Sequence, residues 1–256
     1  MVKKKLPGYI LTILSTAVLL CIWKVFALIL KAEIILPPPE TVLLQMIRLF
    51  GTYSFWQSVG ATLFRGLFGF FLSAAAGLLT GVAAGMSRPL YLLLKPLLSV
   101  IKTTPVMSIV IIALIWFTAG SVPVFTAFLV AYPVIAGNVM EGIRNVDKNL
   151  IKMAEVFRVP RKRVLSQLYL PSTLPYFAAG ASTSLGLTWK VIIAGEVLAQ
   201  PLRGLGTGLI QAKQYLETAE VFAWTVCAII LSAGTEGLFN FLLDRIPWKR
   251  RDPNAG

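Results

Sequence analysis

There is no histidine in this chain. That removes imidazole acid–base catalysis, Ser-His hydrolysis and most zinc or haem ligation. There is also no Gly-Lys-Ser or Gly-Lys-Thr sequence, so no loop that could cradle nucleotide phosphates. Acid is scarce, with 11 Asp and Glu against 24 Lys and Arg, and charged residues make up only 14% of the chain. Soluble domains carry about a quarter. With 57% apolar residues and a mean hydropathy of +0.77, the composition is that of an integral membrane protein. The net charge of +13 does not signal nucleic acid, because the basic residues sit between apolar runs rather than on one soluble face. Cys21 and Cys227 both lie in such runs and act as small hydrophobes, not as a disulfide or metal pair.

The apolar runs define an expected all-α membrane protein of one domain with six transmembrane helices, at about 8–30, 55–86, 90–118, 122–143, 174–198 and 221–243. The first run is expected to be retained, since no small-residue cleavage site follows it. Lys24 interrupts it and reads as a lysine snorkelling to an interface. Pro37-Pro38-Pro39 and the short pattern ETVLLQMIRLF predict an extended turn and a surface helix. Ser73, Gly77, Gly81 and Gly85, four residues apart, form a face that lets another helix approach closely; sliding during transport is the other reading of that face.

Ionisable residues inside spans are costly and face protein or water. Lys102, with Thr103 and Thr104, precedes Pro105 at a break in the third run. It is a candidate pathway residue or a lysine at a membrane boundary. Trp189, Lys190 and Glu196 share the fifth run. Lys190 and Glu196 are six residues apart and point to different helix faces, so each needs another partner, such as one on a second subunit. Both are expected to line an inter-subunit pathway or its outer gate. Glu236 reads as packing beside Gly234 and Gly237.

The segment 147–171, DKNLIKMAEVFRVPRKRVLSQLYLP, is polar and basic between two apolar runs. Leu150, Ala154 and Phe157 form one helical stripe, which Asp147 or Asn149 can cap. Val159 should end that helix and Pro160 open a second. Val164, Leu165 and Leu168 stripe the second helix, and Leu170-Pro171 should end it.

This segment resembles the EAA coupling loop of permease subunits of binding-protein-dependent ABC importers. Counted back from Leu170-Pro171, Lys152, Met153 and Ala154 hold the Glu-Ala-Ala positions, and Arg158 holds the position of the usual glycine. Only Ala154 and Leu170-Pro171 match to the letter, and with glycine absent Pro160 is expected to supply the bend. The following LPSTLPYFAAGASTSLGLTWKVIIAGEVL is similar to the nitrate, sulfonate and taurine branch, and the similarity spans most of residues 55–245. The resemblance implies a type I importer permease that is not itself an enzyme and binds no cofactor. ATP would be bound by a separate cytoplasmic ATPase in two copies. The other implied partners are a second permease chain, making a homodimer, and an extracytoplasmic solute-binding protein. Lys152, Met153, Ala154, Phe157, Arg158, Pro160, Leu170 and Pro171 would form the ATPase-coupling element, with Ala154, Phe157 and Arg158 at its centre.

Orientation follows from charge alone. Lys3, Lys4, Lys5, Arg88, Arg144, Lys148, Lys152, Arg158, Arg161, Lys162, Arg163, Arg245, Lys249, Arg250 and Arg251 fall on one side; Lys31, Arg48, Arg203 and Lys213 fall on the other. The richer side, with both termini, is expected to be cytoplasmic. The resemblance implies a prokaryotic inner membrane as the setting, with lipid as the only partner besides protein. An ion-coupled secondary transporter is the alternative function, but no internal repeat is visible and the break at Lys102–Pro105 has no counterpart in the second half. An intramembrane enzyme would need a Ser-Lys or paired-carboxylate arrangement, and Ser184 and Lys190 are not spaced for one. The solute is not legible.

Overall fold

The computed structural model describes residues 8–245. Lys3, Lys4 and Lys5 and the tail with Lys249, Arg250 and Arg251 lie outside the described residues. Helices account for nearly all of the described chain, and no strand occurs among the described residues. They are α1 (Gly8–Leu30), α2 (Pro39–Phe50), α3 (Tyr53–Met86), α4 (Arg88–Thr103), α5 (Val106–Trp116), α6 (Val122–Arg144), α7 (Lys148–Val156), α8 (Arg161–Val164), a π-helical turn (Leu165–Tyr169), α9 (Leu170–Ala199), α10 (Leu205–Gln214) and α11 (Thr218–Asp244).

Among the described residues, α3, α6, α11 and the continuous helix Arg161–Ala199 are long and apolar enough to cross a membrane. The expected third span, 90–118, is not one straight helix. It is α4 and α5, bent by 97° at Thr104-Pro105. Pro105 has no N–H to continue the ladder, and just before it the hydroxyls of Thr103 and Thr104 turn back onto the Val100 carbonyl, donating at 3.1 and 2.8 Å. Pro96, by contrast, sits inside α4 without ending it.

The centre of the bundle is α6, packed between α3 and α9. The small-residue face of α3 is what permits this. A Cβ on Gly77, Gly81 or Gly85 would lie 2.9, 2.7 or 2.6 Å from Ile135, Val139 or Ile143 of α6. One turn before them Ser73 returns its hydroxyl to Gly69 O at 2.7 Å, so it adds no unsatisfied group. Tight packing within one chain accounts for this face.

At one end, α2 lies against α11 and buries Val42 and Met46. Trp23 of α1 donates to Pro37 O at 3.1 Å and stacks on Phe222. Lys24 pairs with Glu40 at 3.2 Å. The backbone hydrogen bond at the start of α2 and Lys24 hold the Glu40 carboxyl below its usual range.

The expected end at Leu170-Pro171 does not occur. The second helix of the basic segment runs on through Pro171 and Pro175 as the fifth apolar helix. The π turn makes this possible: Leu170 N–H donates back to Leu165 O, one residue further than in an α-helix. The carbonyl that Pro171 would otherwise strike is thereby displaced.

Candidate functional site

The segment Asp147–Tyr169 stands off the bundle, and none of its α7, α8 or π-turn residues is buried. Asp147 caps α7, its carboxylate accepting from Asn149 N–H at 2.8 Å. The helix ends at Val156, earlier than Val159, and the corner is made differently from the sequence expectation. Arg158 itself takes the left-handed conformation, at φ 51. Its N–H donates to Glu155 O, and Val159 N–H donates to Ala154 O, which is the two-bond pattern that closes a helix with a glycine-like residue. Pro160 therefore does not supply the bend; it is the N-cap of α8.

The apolar stripe also divides. Ala154 is half-buried and lines a cavity of about 540 Å³ with Ile151, Val159, Val164 and Arg158, on the side facing the chain. Phe157 and Val156 are 74% and 78% exposed, and Met153 and Leu150 are exposed with them. So Leu150, Met153, Val156 and Phe157 make an unpartnered apolar face on a helix that also carries Lys148 and Lys152. Leu170 and Pro171 lie at the far end, where the second helix enters α9, and are exposed.

The candidate pathway residues are dispersed. Lys102 is exposed at the end of α4, its ammonium within 3.1 Å of the place a Cβ on Gly137 would occupy. Trp189 is 1% exposed, its ring seated on Gly66 of α3, where a Cβ would lie 2.5 Å from it. It is a core residue of the α3–α9 contact that also borders the cavity lined by Lys190 and Glu236.

Glu196 is the largest correction. It is fully buried and needs no second subunit. Its carboxylate accepts from Arg65 Nη1 at 2.6 Å, from Thr62 Oγ1 at 2.9 Å and from Gly206 N–H at 3.0 Å. Thr62 in turn accepts from Leu205 N–H at 2.9 Å, and Arg65 donates to Arg203 O at 2.8 Å. This ties α3, the end of α9 and the loop into α10 to one carboxylate. Gly204 and Gly206 are required there, because a Cβ on either would come within 2.6 Å of Glu196. Arg65 and Thr62 escaped the sequence reading. The available signal was a lone arginine inside the second apolar run. Pairing it with Glu196 rather than with Glu236 needed the fold.

Lys190 is exposed on the opposite side of α9, toward α11. Glu236 does not pack on Gly234 or Gly237, which have open space around them; its carboxylate lies against Gly186 of α9.

Residues 75–246 match the binding-protein-dependent transport system inner membrane component family. The chain is 29% identical over 255 residues to a Bacillus subtilis (strain 168) protein described as an aliphatic sulfonates transport permease, covering 99% of this chain and 92% of that one. It is 29% identical to the taurine transport system permease protein of Escherichia coli (strain K12), covering 93% and 89%. Among solved structures, the MetNI methionine ABC transporter in an inward-facing conformation aligns with a TM-score of 0.62 at 17% identity, over 76% of this chain and 94% of that one. An all-helical membrane bundle with this match over most of its length belongs to the binding-protein-dependent inner membrane component family, and the chain is a permease subunit of an ABC importer.

Proposed function

We propose that the chain forms the translocation pathway for a small solute and couples it to a separate ATPase through the segment 147–171. The observation that carries the reading is the exposed face of Leu150, Met153, Val156 and Phe157 on a two-helix unit with no buried residue of its own. Large apolar side chains held in water on a basic segment are a feature of an interaction surface. The continuous helix Arg161–Ala199 supports coupling as well, because a push on α8 would travel along one rigid element into the bundle centre. A partner is needed on energetic grounds, since the chain lacks a phosphate-cradling loop.

In this reading six spans put both termini and the basic segment in the cytoplasm of a prokaryote. The bent α4–α5 pair then counts as the third span. Two permease chains, two ATPase subunits and an extracytoplasmic binding protein make the working importer, and a two-fold pair encloses the pathway that six helices alone would leave open. The family branch includes relatives named for sulfonates and taurine, and the solute class proposed is of that size.

The test is Phe157→Asp. The variant should insert normally in the membrane but lose copurification with the ATPase and solute-stimulated hydrolysis. Lipid headgroups are the competing partner for the basic segment, at about 1 kcal/mol per Lys or Arg. If Phe157→Asp copurifies and transports like the unsubstituted chain, while neutralising Arg161, Lys162 and Arg163 together abolishes function, the segment is a lipid contact and the docking assignment fails.

A further inference from the structure

Every buried hydroxyl of this bundle but one has a partner among the described residues. Ser58, Ser73, Thr126, Ser184 and Thr188 each return their proton to the carbonyl four residues back, at 2.7–3.0 Å. Thr62 is spent on Glu196, and Thr207 on Pro201 O. Thr173 is the exception. It is 4% exposed, and its Oγ1 meets no hydrogen-bond partner among the described residues. It borders instead a cavity of about 450 Å³ enclosed by α9, the π turn and the ends of α3 and α6.

That cavity is a groove. Along the continuous helix Arg161–Ala199 its lining runs from Lys162 past Thr173 to Phe177, and Leu78, Val82 and Met86 of α3 supply the facing wall. From 162 to 177 the helical rise is roughly 22 Å. Spread over that length, the volume leaves a cross-section of about 20 Å². A helix with its side chains is about 10–12 Å across and too thick to enter, whether it comes from a second copy or from another protein. A single hydrocarbon chain, whose neighbours sit about 4 Å away, fills the space. The length also suits one: half of a bilayer's hydrocarbon core is about 15 Å, and the remainder reaches the headgroup level. Lys162 stands at that end as the one charged residue of the lining, in no ion pair with a described residue. Ser166 beside it already donates to Arg163 O at 3.3 Å.

We propose that this groove binds one anionic, phosphate-headed membrane lipid per chain. An acyl chain lies between α3 and α9, the phosphate meets the Lys162 ammonium, and the Thr173 hydroxyl donates to an ester carbonyl. The rise of roughly 16 Å between Lys162 and Thr173 is spanned by the lysine stem together with the glycerol that separates phosphate from ester. Arg161 and Arg163 flank Lys162, so a headgroup carrying its own ammonium is disfavoured. None of Leu150, Met153, Val156 and Phe157 lines the groove, so the site is separate from the docking face. An occupied groove ties α8 and the π turn, which bury no residue of their own, to α3.

The experiment places the full chain in phosphatidylcholine nanodiscs containing a minor share of phosphatidylglycerol with a diazirine on one acyl chain. After irradiation, mass spectrometry of the peptides should find the label in 78–86 and 165–177. Unlabelled phosphatidylglycerol should reduce that labelling several-fold, whereas added phosphatidylcholine or oleate at equal concentration should not. Lys162→Gln should lower it several-fold and Arg163→Gln, outside the groove, should leave it unchanged. Thr173→Val should also lower it, while the unfolding temperature in pure phosphatidylcholine stays the same or rises, because the hydroxyl removed had no partner in the protein. Phe157→Asp should label like the unsubstituted chain. Labelling absent from both peptides overturns the site. Equal losses in Lys162→Gln and Arg163→Gln would reduce it to diffuse attraction of lipid by a basic segment, and oleate competing as well as phosphatidylglycerol would make the occupant a free fatty acid. Competition by phosphatidylcholine overturns the headgroup assignment. Unchanged labelling or a lowered unfolding temperature in Thr173→Val overturns the role of the hydroxyl, and loss of labelling in Phe157→Asp overturns the separation from the docking face.

Discussion

Arg158 occupies a left-handed corner that glycine adopts freely and that costs a residue with a Cβ about 1 kcal/mol. Arg158→Gly should therefore tighten the corner, raising hydrogen-exchange protection of the Val159 amide about fivefold for a gain of about 1 kcal/mol. An unchanged or faster exchange would mean that the arginine side chain offsets its own backbone strain. Glu196 gives the opposite case. Glu196→Ala strands a nearly buried Arg65 and leaves Thr62 and the Gly206 N–H unpaired, for an expected loss of about 3 kcal/mol in thermal unfolding. Glu196→Gln keeps acceptors for Thr62 and Gly206 and should lose clearly less. Equal losses would show that the carboxylate's charge on Arg65, and not the packing of the side chain, accounts for the whole effect. Both residues were visible in the sequence as oddities, a missing glycine and a charge in a span. Their resolution was not, because backbone angle and cross-chain pairing depend on neighbours that lie far away in the chain.

The contact between α3 and α6 was written in the four-residue spacing of Ser73, Gly77, Gly81 and Gly85, and the structure supplies the partner. Gly81→Val must displace Val139 or the α6 backbone, and should lower the unfolding temperature by an amount corresponding to about 1–3 kcal/mol. Gly60→Ala is the control, since nothing lies within 4 Å of its Cβ position, and it should be neutral or slightly stabilising through helix propensity. A tolerated Gly81→Val would show that the two helices are not held at this separation. The helix break at Pro105 was legible, but passage of the helix through Pro171 was not. Both prolines lack the same N–H. What differs is the π turn before Pro171, a register change that leaves no trace in hydrophobic periodicity.

At the scale of the whole molecule, the excess of Lys and Arg on one side predicts a sidedness that cysteine labelling can read. In a chain with both native cysteines replaced by alanine, Met153→Cys should react with an impermeant maleimide only in inside-out vesicles. Leu202→Cys, at a position 88% exposed beside the Glu196 loop, should react only in right-side-out cells. Reaction of both from one side would overturn the arrangement of spans.

Hydropathy, a sum over the chain, by itself determined that this is a membrane protein, and the absence of any Gly-Lys-Ser or Gly-Lys-Thr sequence determined that it has no phosphate-cradling loop of its own. The residues that carry the family resemblance in the segment 147–171 were equally open to reading, since Ala154 and Leu170-Pro171 are close in sequence. Only the tertiary structure decided which side of that segment is free, turning Ala154 toward the chain and leaving Phe157 in solvent. It also decided the pairing of charges. Arg65, Lys190, Glu196 and Glu236 admit more than one pairing, and spacing along separate helices cannot choose among them. The choice comes from which helix faces meet across α3, α9 and α11, and burial makes it decisive: a fully enclosed Glu196 must have its cation at hand, while Lys190 and Glu236 line an open cavity without pairing with each other.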